Sequence, residues 1–208
     1  MTRLLIATNN PGKLREYENL LADLPLTLTW PGQEGIELEV EETGESFREN
    51  AILKARAYAR ASGLLTLADD SGLEVDALGG EPGILSSRYA GPEADDEDRM
   101  RLLLRKLEGV PWEERTARFR CVIALATPQG EVWTTEGSCE GIIAFEPRGE
   151  HGFGYDPVFY LPQFGRTMAQ LPPELKNRIS HRARAAEKAR AILRELMEGW
   201  VIGDYQLP

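Results

Sequence analysis

Several short polar clusters in this chain carry the residue types from which phosphoryl chemistry is built. The first is Thr8-Asn9-Asn10-Pro11-Gly12-Lys13, which follows at once on the strand-like run Arg3-Leu4-Leu5-Ile6-Ala7. A strand running into a helix start suits an anion. Asn10 caps the helix, Pro11 needs no amide hydrogen in the first turn, and Gly12 lets a ligand approach the backbone. Free amides and the helix dipole then face the guest, and Lys13 adds a full positive charge. A phosphate is the natural guest, although the same residues also describe an ordinary capped helix with a surface lysine. The spacing does not match the Gly-x-x-x-x-Gly-Lys-Ser/Thr loop.

The second cluster, Asp69-Asp70-Ser71-Gly72, is expected at the end of a short buried strand, Leu64 to Ala68. Two acids there are costly unless their charge is compensated, and a divalent metal would do so. Ionised carboxylates suit Mg²⁺, which is held by one or two acids together with phosphate oxygens and water. Neighbouring strand residues face opposite ways, so one acid points into the site. Asp70, next to Ser71, is the favoured one, with Asp69 structural; a turn with an Asp bonded to backbone amides is the alternative. Glu41-Glu42-Thr43-Gly44 offers a second acid, and the residues alone do not choose between Glu41 and Glu42. Lys13 and Lys54 supply cations for phosphate oxygens, though each by itself also reads as a solvated surface charge.

Gly152-Phe153-Gly154-Tyr155-Asp156-Pro157 interleaves aromatics with glycine. Such a loop can offer the Phe153 ring to a flat heterocycle and Asp156 to a ring N–H, or can be an aromatic turn locked by Pro157. In Lys176-Asn177-Arg178-Ile179-Ser180-His181-Arg182, Ser180 reads as a helix cap followed by two basic residues in the first turn. Cations there oppose the helix dipole, which points to a ligand nearby or to pairing of Arg182 with an acid such as Glu187. His151 and His181 are the only histidines, and neither stands beside a nucleophile motif. Covalent catalysis and a zinc site are therefore not expected.

The elements that must position these clusters alternate in an α/β order. Helices are expected over Lys13 to Ala22, Glu45 to Ser62, Glu93 to Leu107 and Ser180 to Trp200. Strands are expected over Leu26 to Trp30, Leu64 to Ala68, Arg118 to Ala126, Glu131 to Ile143 and Val158 to Leu161. In the second helix Phe47, Ala51, Ala55 and Tyr58 form one buried stripe, while Asn50 and Lys54 share another face. Gly63 ends it, and irregular backbone is expected from Gly79 to Pro92. The acids Glu93, Asp95, Asp96, Glu97 and Asp98 read as a capped, solvated helix start. The closing helix gathers Ala183, Ala186, Ala189, Leu193, Leu196 and Trp200 near one face. A hairpin turning at Thr127 to Glu131 makes the sheet mixed and forms most of a second lobe, about 115–165.

The chain has 208 residues, 42% of them hydrophobic, enough for one domain with a substantial core. Its 24 basic and 34 acidic residues give a net charge of −10, which disfavours nucleic acid as a partner and leaves a small phosphate ester open. No apolar run suffices for a membrane span and no secretory stretch opens the sequence, so a cytoplasmic protein is expected. Cys121 and Cys139 are expected as buried thiols.

Taken in order, TNNPGK at 8–13, EETGESFRENAILKA at 41–55, ADDSGLEVDALGGEPGILSSRYAG at 68–91, FGYDPVF at 153–159 and SHRARA at 180–185 resemble the inosine/xanthosine triphosphate pyrophosphatases. The resemblance covers nearly the whole chain. It implies an elongated α/β fold: a mixed sheet flanked by helices, in two lobes with the active site in the cleft between them. It also implies a Mg²⁺-dependent homodimer that hydrolyses ITP, dITP and XTP to the monophosphate and pyrophosphate. By the same resemblance Thr8, Asn9, Asn10, Pro11, Gly12 and Lys13 bind the triphosphate, Glu42 and Asp70 serve the metal, Asp70 accepts a proton, and Ser71 touches substrate. Phe153, Gly154, Tyr155, Asp156, Lys176, Ser180, His181 and Arg182 form the purine pocket. Lys13 and Lys54 are expected to stabilise charge on the leaving group beside Asp70. A related pyrophosphatase for modified pyrimidine or methylated nucleotides, and a nucleotide sensor without turnover, are the competing readings.

Overall fold

The computed structural model describes the backbone of residues 2–203 and the side chains of residues 2–199. Strand β1 (Thr2–Ile6) lies in the sheet between β2 (Leu26–Thr29) and β3 (Leu65–Val75). It pairs in parallel with both, Leu4 opposite Leu28 on one side and Leu65 on the other. Two helices, α1 (Pro11–Leu20) and α2 (Phe47–Ser62), make the crossovers that parallel pairing demands. Helix α3 (Asp96–Lys106) precedes β4 (Thr116–Ala126) and β5 (Val132–Ile143). Strands β6 (Phe159–Leu161) and β7 (Arg166–Thr167) pair antiparallel with β5 and β6 respectively. Helices α4 (Pro173–Ile179) and α5 (His181–Gly203) complete the described chain. The strands form one mixed sheet in the order β2-β1-β3-β4-β5-β6-β7.

The chain divides into two compact units. Unit 1 takes the described residues up to Asp70, Val122–Glu136, and those from Arg184 onward. Its buried residues include Leu4, Leu5 and Leu67 of the sheet, Ala51, Ala55 and Ala59 of α2, and Ala186, Ala189 and Leu193 of α5. The stripe Phe47, Ala51, Ala55 and Tyr58 is buried as its spacing predicts. On α5 the apolar face continues to a half-buried Leu196, and the side chain of Trp200 lies outside the described residues. Unit 2 takes Ser71–Cys121 and Gly137–Ala183, with a core built from Leu73, Leu103, Leu107, Phe119, Phe159 and Met168 among others. The β4 and β5 hairpin, closed by Thr127 N–H to Glu131 O at 3.0 Å, contributes residues to both units. Cys121 and Cys139 are buried free thiols.

One expected boundary is wrong in a way that matters. Strand β3 does not stop at Ala68; it runs through Asp69-Asp70-Ser71-Gly72 to Val75, where Leu73 and Val75 are fully buried. The acids lie inside a central strand because lysines from two helices balance them, as described below. Helix α4 and the two-residue β7 are too short to give a periodic signal, and neither is anticipated by the sequence. The expected irregular stretch after β3 contains two 3₁₀ turns, Asp76–Leu78 and Gly83–Arg88.

Candidate active site

In unit 1, α1 opens as predicted: Asn10 has extended backbone and its Oδ1 accepts from Gly12 N at 2.8 Å and Lys13 N at 3.2 Å. The hydroxyl of Thr8 accepts from Asn10 N at 3.1 Å. These bonds correct the expectation that the first-turn amides are free for a ligand, since Asn10 takes two of them. The positive charge of the corner therefore resides in Lys13. Its Nζ lies 2.9 Å from Asp69 Oδ1, and the Asp69 side chain is 1% exposed. The buried Asp69 carboxylate thus anchors Lys13.

Helix α2 brings up the second cation. Ser46 caps it by accepting from Glu49 N at 3.2 Å, and two turns into the helix Lys54 Nζ reaches Glu42 Oε1 at 2.6 Å and Asp70 Oδ1 at 3.6 Å. Glu42, not its exposed neighbour Glu41, faces this lysine. The loop that carries Glu42 is held by Asn50, whose Oδ1 accepts from Gly44 N at 2.8 Å. Gly44 is required there: a Cβ would sit 2.6 Å from Glu49 Cβ and 2.7 Å from Asn50 Oδ1.

Two acids sharing one lysine leave a net negative, poorly hydrated site. Burial raises the pKa of Asp70; Lys54 works against that rise and Glu42 adds to it, while Lys13 and the Asn50 amide work against it. Burial alone would lower the pKa of Lys54, but Asp70, Glu42 and Asp69 outweigh it and the net direction is upward. The donor set suits a hard cation that brings oxygen ligands of its own. Among the described residues no group of three or more His, Cys, Asp or Glu forms a complete cage. Two carboxylates plus phosphate oxygens and water is how Mg²⁺ is usually held. Asn50 is fully buried, its amide helps keep Asp70 ionised, and its Nδ2 makes no hydrogen bond of good geometry. An additional oxygen ligand would satisfy that donor.

In unit 2 three of the predicted residues, Lys176, Arg182 and Asp156, meet at Phe153. Lys176 Nζ lies 4.6 Å and the Arg182 guanidinium 5.7 Å from its ring centroid. Lys176 also donates to Asp156 Oδ2 at 2.5 Å, and the same oxygen accepts from Phe153 N at 3.0 Å. Asp156 is 2% exposed, so at least one of its oxygens organises the loop instead of waiting for a ring N–H. Gly152 has φ +78, and a Cβ there would run into that carboxylate. Arg182 donates to Ser71 Oγ at 2.9 Å. Ser180 caps α5 by accepting from Ala183 N at 3.1 Å, and His181 stacks on Phe119 with centroids 4.7 Å apart. Tyr155 is placed differently. Its ring belongs to the hydrophobic core and its hydroxyl donates to Ser86 O at 2.8 Å.

Sequence reasoning missed Asn50, which it read only as sharing a face with Lys54, and Phe119, which it read as an alternating strand residue. The positions were visible; their partners are far away in the chain. It also missed Asp96, whose Oδ2 accepts from Gly154 N at 2.7 Å.

The sequence model of the Ham1 family matches residues 4–192. A dITP/XTP pyrophosphatase from Desulforamulus reducens is 53% identical over 194 residues, 93% of this chain and 96% of that one. The dITP/XTP pyrophosphatase of Bacillus subtilis is 48% identical, covering 93% and 98%. Among solved structures, a HAM1 protein from Coxiella burnetii superposes with a TM-score of 0.85 at 45% identity, covering 94% of this chain and all of that one. The chain belongs to the Ham1 family.

Proposed function

We propose that the chain hydrolyses non-standard purine nucleoside triphosphates, ITP, dITP and XTP, to the monophosphate and pyrophosphate, and so removes them from the nucleotide pool before incorporation into DNA or RNA. The observation that carries this reading is the charge cluster of unit 1, in which Lys13 with Asp69 and Lys54 with Glu42 and Asp70 combine two cations with three buried or half-buried acids. That mixture is what a polyphosphate and a divalent cation require together. The names of the relatives supply the base specificity.

Glu42 and Asp70 are the residues that would hold Mg²⁺. When bound, Mg²⁺ screens the phosphate charge and acts as a Lewis acid on the phosphoryl group. Asp70 accepts the proton of the attacking water, a role favoured by burial, which makes its carboxylate a stronger base. The water oxygen bonds to the α-phosphorus, the bond from that phosphorus to the bridging oxygen breaks, and pyrophosphate leaves with the electron pair. Lys13 and Lys54 stabilise the charge building on the leaving group, at roughly 3 kcal/mol per well-placed donor. At the base, the 6-carbonyl of hypoxanthine or xanthine accepts where adenine presents an amino group. Arg182 and His181 are the donors we assign to it.

The remaining parts of the reading are a cytoplasmic enzyme and a homodimer. No helix among the described residues is long and apolar enough to cross a membrane, and both cysteines are reduced and buried. Phe145, 62% exposed, offers apolar surface for a second copy. Pyrophosphate release from ITP, measured with Mg²⁺ and again with EDTA, tests the function. Release that stops on chelation is expected; no release with Mg²⁺ would refute it. In a panel of ITP, XTP, GTP and ATP, Arg182→Ala should compress the preference for the first two, and unchanged ratios count against the assigned donor.

A further inference from the structure

The acidic start of α3 does more than cap a helix. Asp95 and Asp98 form a reciprocal capping box, and Glu97 and Asp98 pair with Arg101 on the solvent side. Asp96 alone turns toward the aromatic loop, where its Oδ2 accepts from Gly154 N at 2.7 Å. Its other oxygen is held by Arg99 Nη1 at 2.6 Å, and Arg99 is itself fixed by donating to Ala94 O from Nη2. The loop is thus pinned at three consecutive residues: Phe153 N on Asp156, Gly154 N on Asp96, and the Tyr155 hydroxyl on Ser86 O. The first and third pins lie within the loop's own base and the core. The second comes from α3 and is half-exposed, with 45% of the Asp96 side chain accessible.

We propose that Asp96, aligned by Arg99, is a positioning residue for purine binding: its hydrogen bond to Gly154 sets the orientation in which Phe153 meets the base. A bond from an amide to a carboxylate is charge-assisted and stronger than a neutral one. The carbonyl of the same peptide, Phe153 O, accepts from Asp156 N at 3.3 Å, so the Asp96 contact at 2.7 Å is the shorter of the two holds on the Phe153–Gly154 peptide. The inference rests on the reading of the 153–156 loop as the base site, and leaves the phosphate chemistry of unit 1 untouched.

Asp96→Ala and Asp96→Asn, assayed with ITP, test it. In Asp96→Ala, KM for ITP is expected to rise about 5- to 20-fold with kcat within about twofold, as lost orientation of a bound group costs binding first. Inhibition by tripolyphosphate, which has no base, should not change. Asp96→Asn keeps an acceptor at the same place and should recover most of the loss. Its Gly154 amide proton resonance should move upfield, because a neutral acceptor replaces a charged one. An unchanged KM in Asp96→Ala, a parallel weakening of tripolyphosphate, or an Asn variant as impaired as the Ala variant would overturn the proposal. If Asp96→Ala does not fold, the Gly154 resonance in Asp96→Asn decides alone: an unmoved signal overturns the contact. A wild-type chain that releases no pyrophosphate from ITP defeats the functional reading, whereas the Gly154 signal still reports on Asp96 by itself.

Discussion

Lys54 faces two carboxylates with one charge, and much of the expected behaviour of the site follows from that imbalance. Because Asp70 is buried and shares its cation, it holds its proton to higher pH in the folded chain than in the unfolded one. The folded state therefore binds more protons between the ordinary aspartate pKa and the raised one. Whatever Asp70 contributes to stability is fully present below the ordinary value and is lost as pH rises through the raised value. Asp70→Asn removes that loss. In EDTA its melting temperature should exceed that of the wild type, by more at pH 7 than at pH 4, while turnover of ITP falls by a factor of about 10² or more. Equal or lower melting temperatures at pH 7 would contradict the burial penalty on the Asp70 charge, and near-normal turnover with saturating Mg²⁺ would contradict its role as proton acceptor. Lys54→Met has the opposite sign. It leaves Glu42 and Asp70 without their shared cation and should destabilise the fold by about 1–3 kcal/mol in denaturant titrations.

At the scale of elements, α2 and the loop before it work as one device. The Ser46 cap fixes the helix start, Glu49 Oε2 accepts from Glu45 N at 2.7 Å, and Asn50 holds Gly44, so that Glu42 is delivered to Lys54 two turns into the helix. Gly44→Ala forces a methyl against Glu49 and Asn50, and overpacking of this kind costs about 1–3 kcal/mol. The Mg²⁺ concentration needed for half-maximal turnover should rise in that variant more than KM for ITP does. Much of α2 is legible in the sequence, from its apolar stripe to its terminal Gly63, because a helix repeats its signal every turn. Strand β3 is less so. Reading two acids as the end of a buried strand is sound local reasoning, and it fails because Lys13 lies 56 residues from Asp69. The choice of Glu42 over Glu41 and the link from Asp96 to Gly154, 58 residues apart, escape the residue pattern for the same reason. Pairings at such separations are set by tertiary structure, and nothing in local periodicity encodes them.

For the whole molecule, one sheet serves two cores, and the chain first passes from one to the other at the Asp70-Ser71 peptide bond inside β3. The acid assigned to the metal and the hydroxyl that takes the Arg182 bond are thus covalent neighbours. Each core should be separately vulnerable. Leu103→Ala, at a fully buried position of α3 in unit 2, should cost about 2–5 kcal/mol by calorimetry or denaturant titration. The most direct measurement of the chemistry is hydrolysis of ITP with Mg²⁺ in ¹⁸O-labelled water, with both products analysed by mass. Water activated beside Asp70 and directed at the α-phosphorus puts one label into inosine monophosphate and leaves pyrophosphate unlabelled. Label in the pyrophosphate, or orthophosphate in its place, would contradict that assignment.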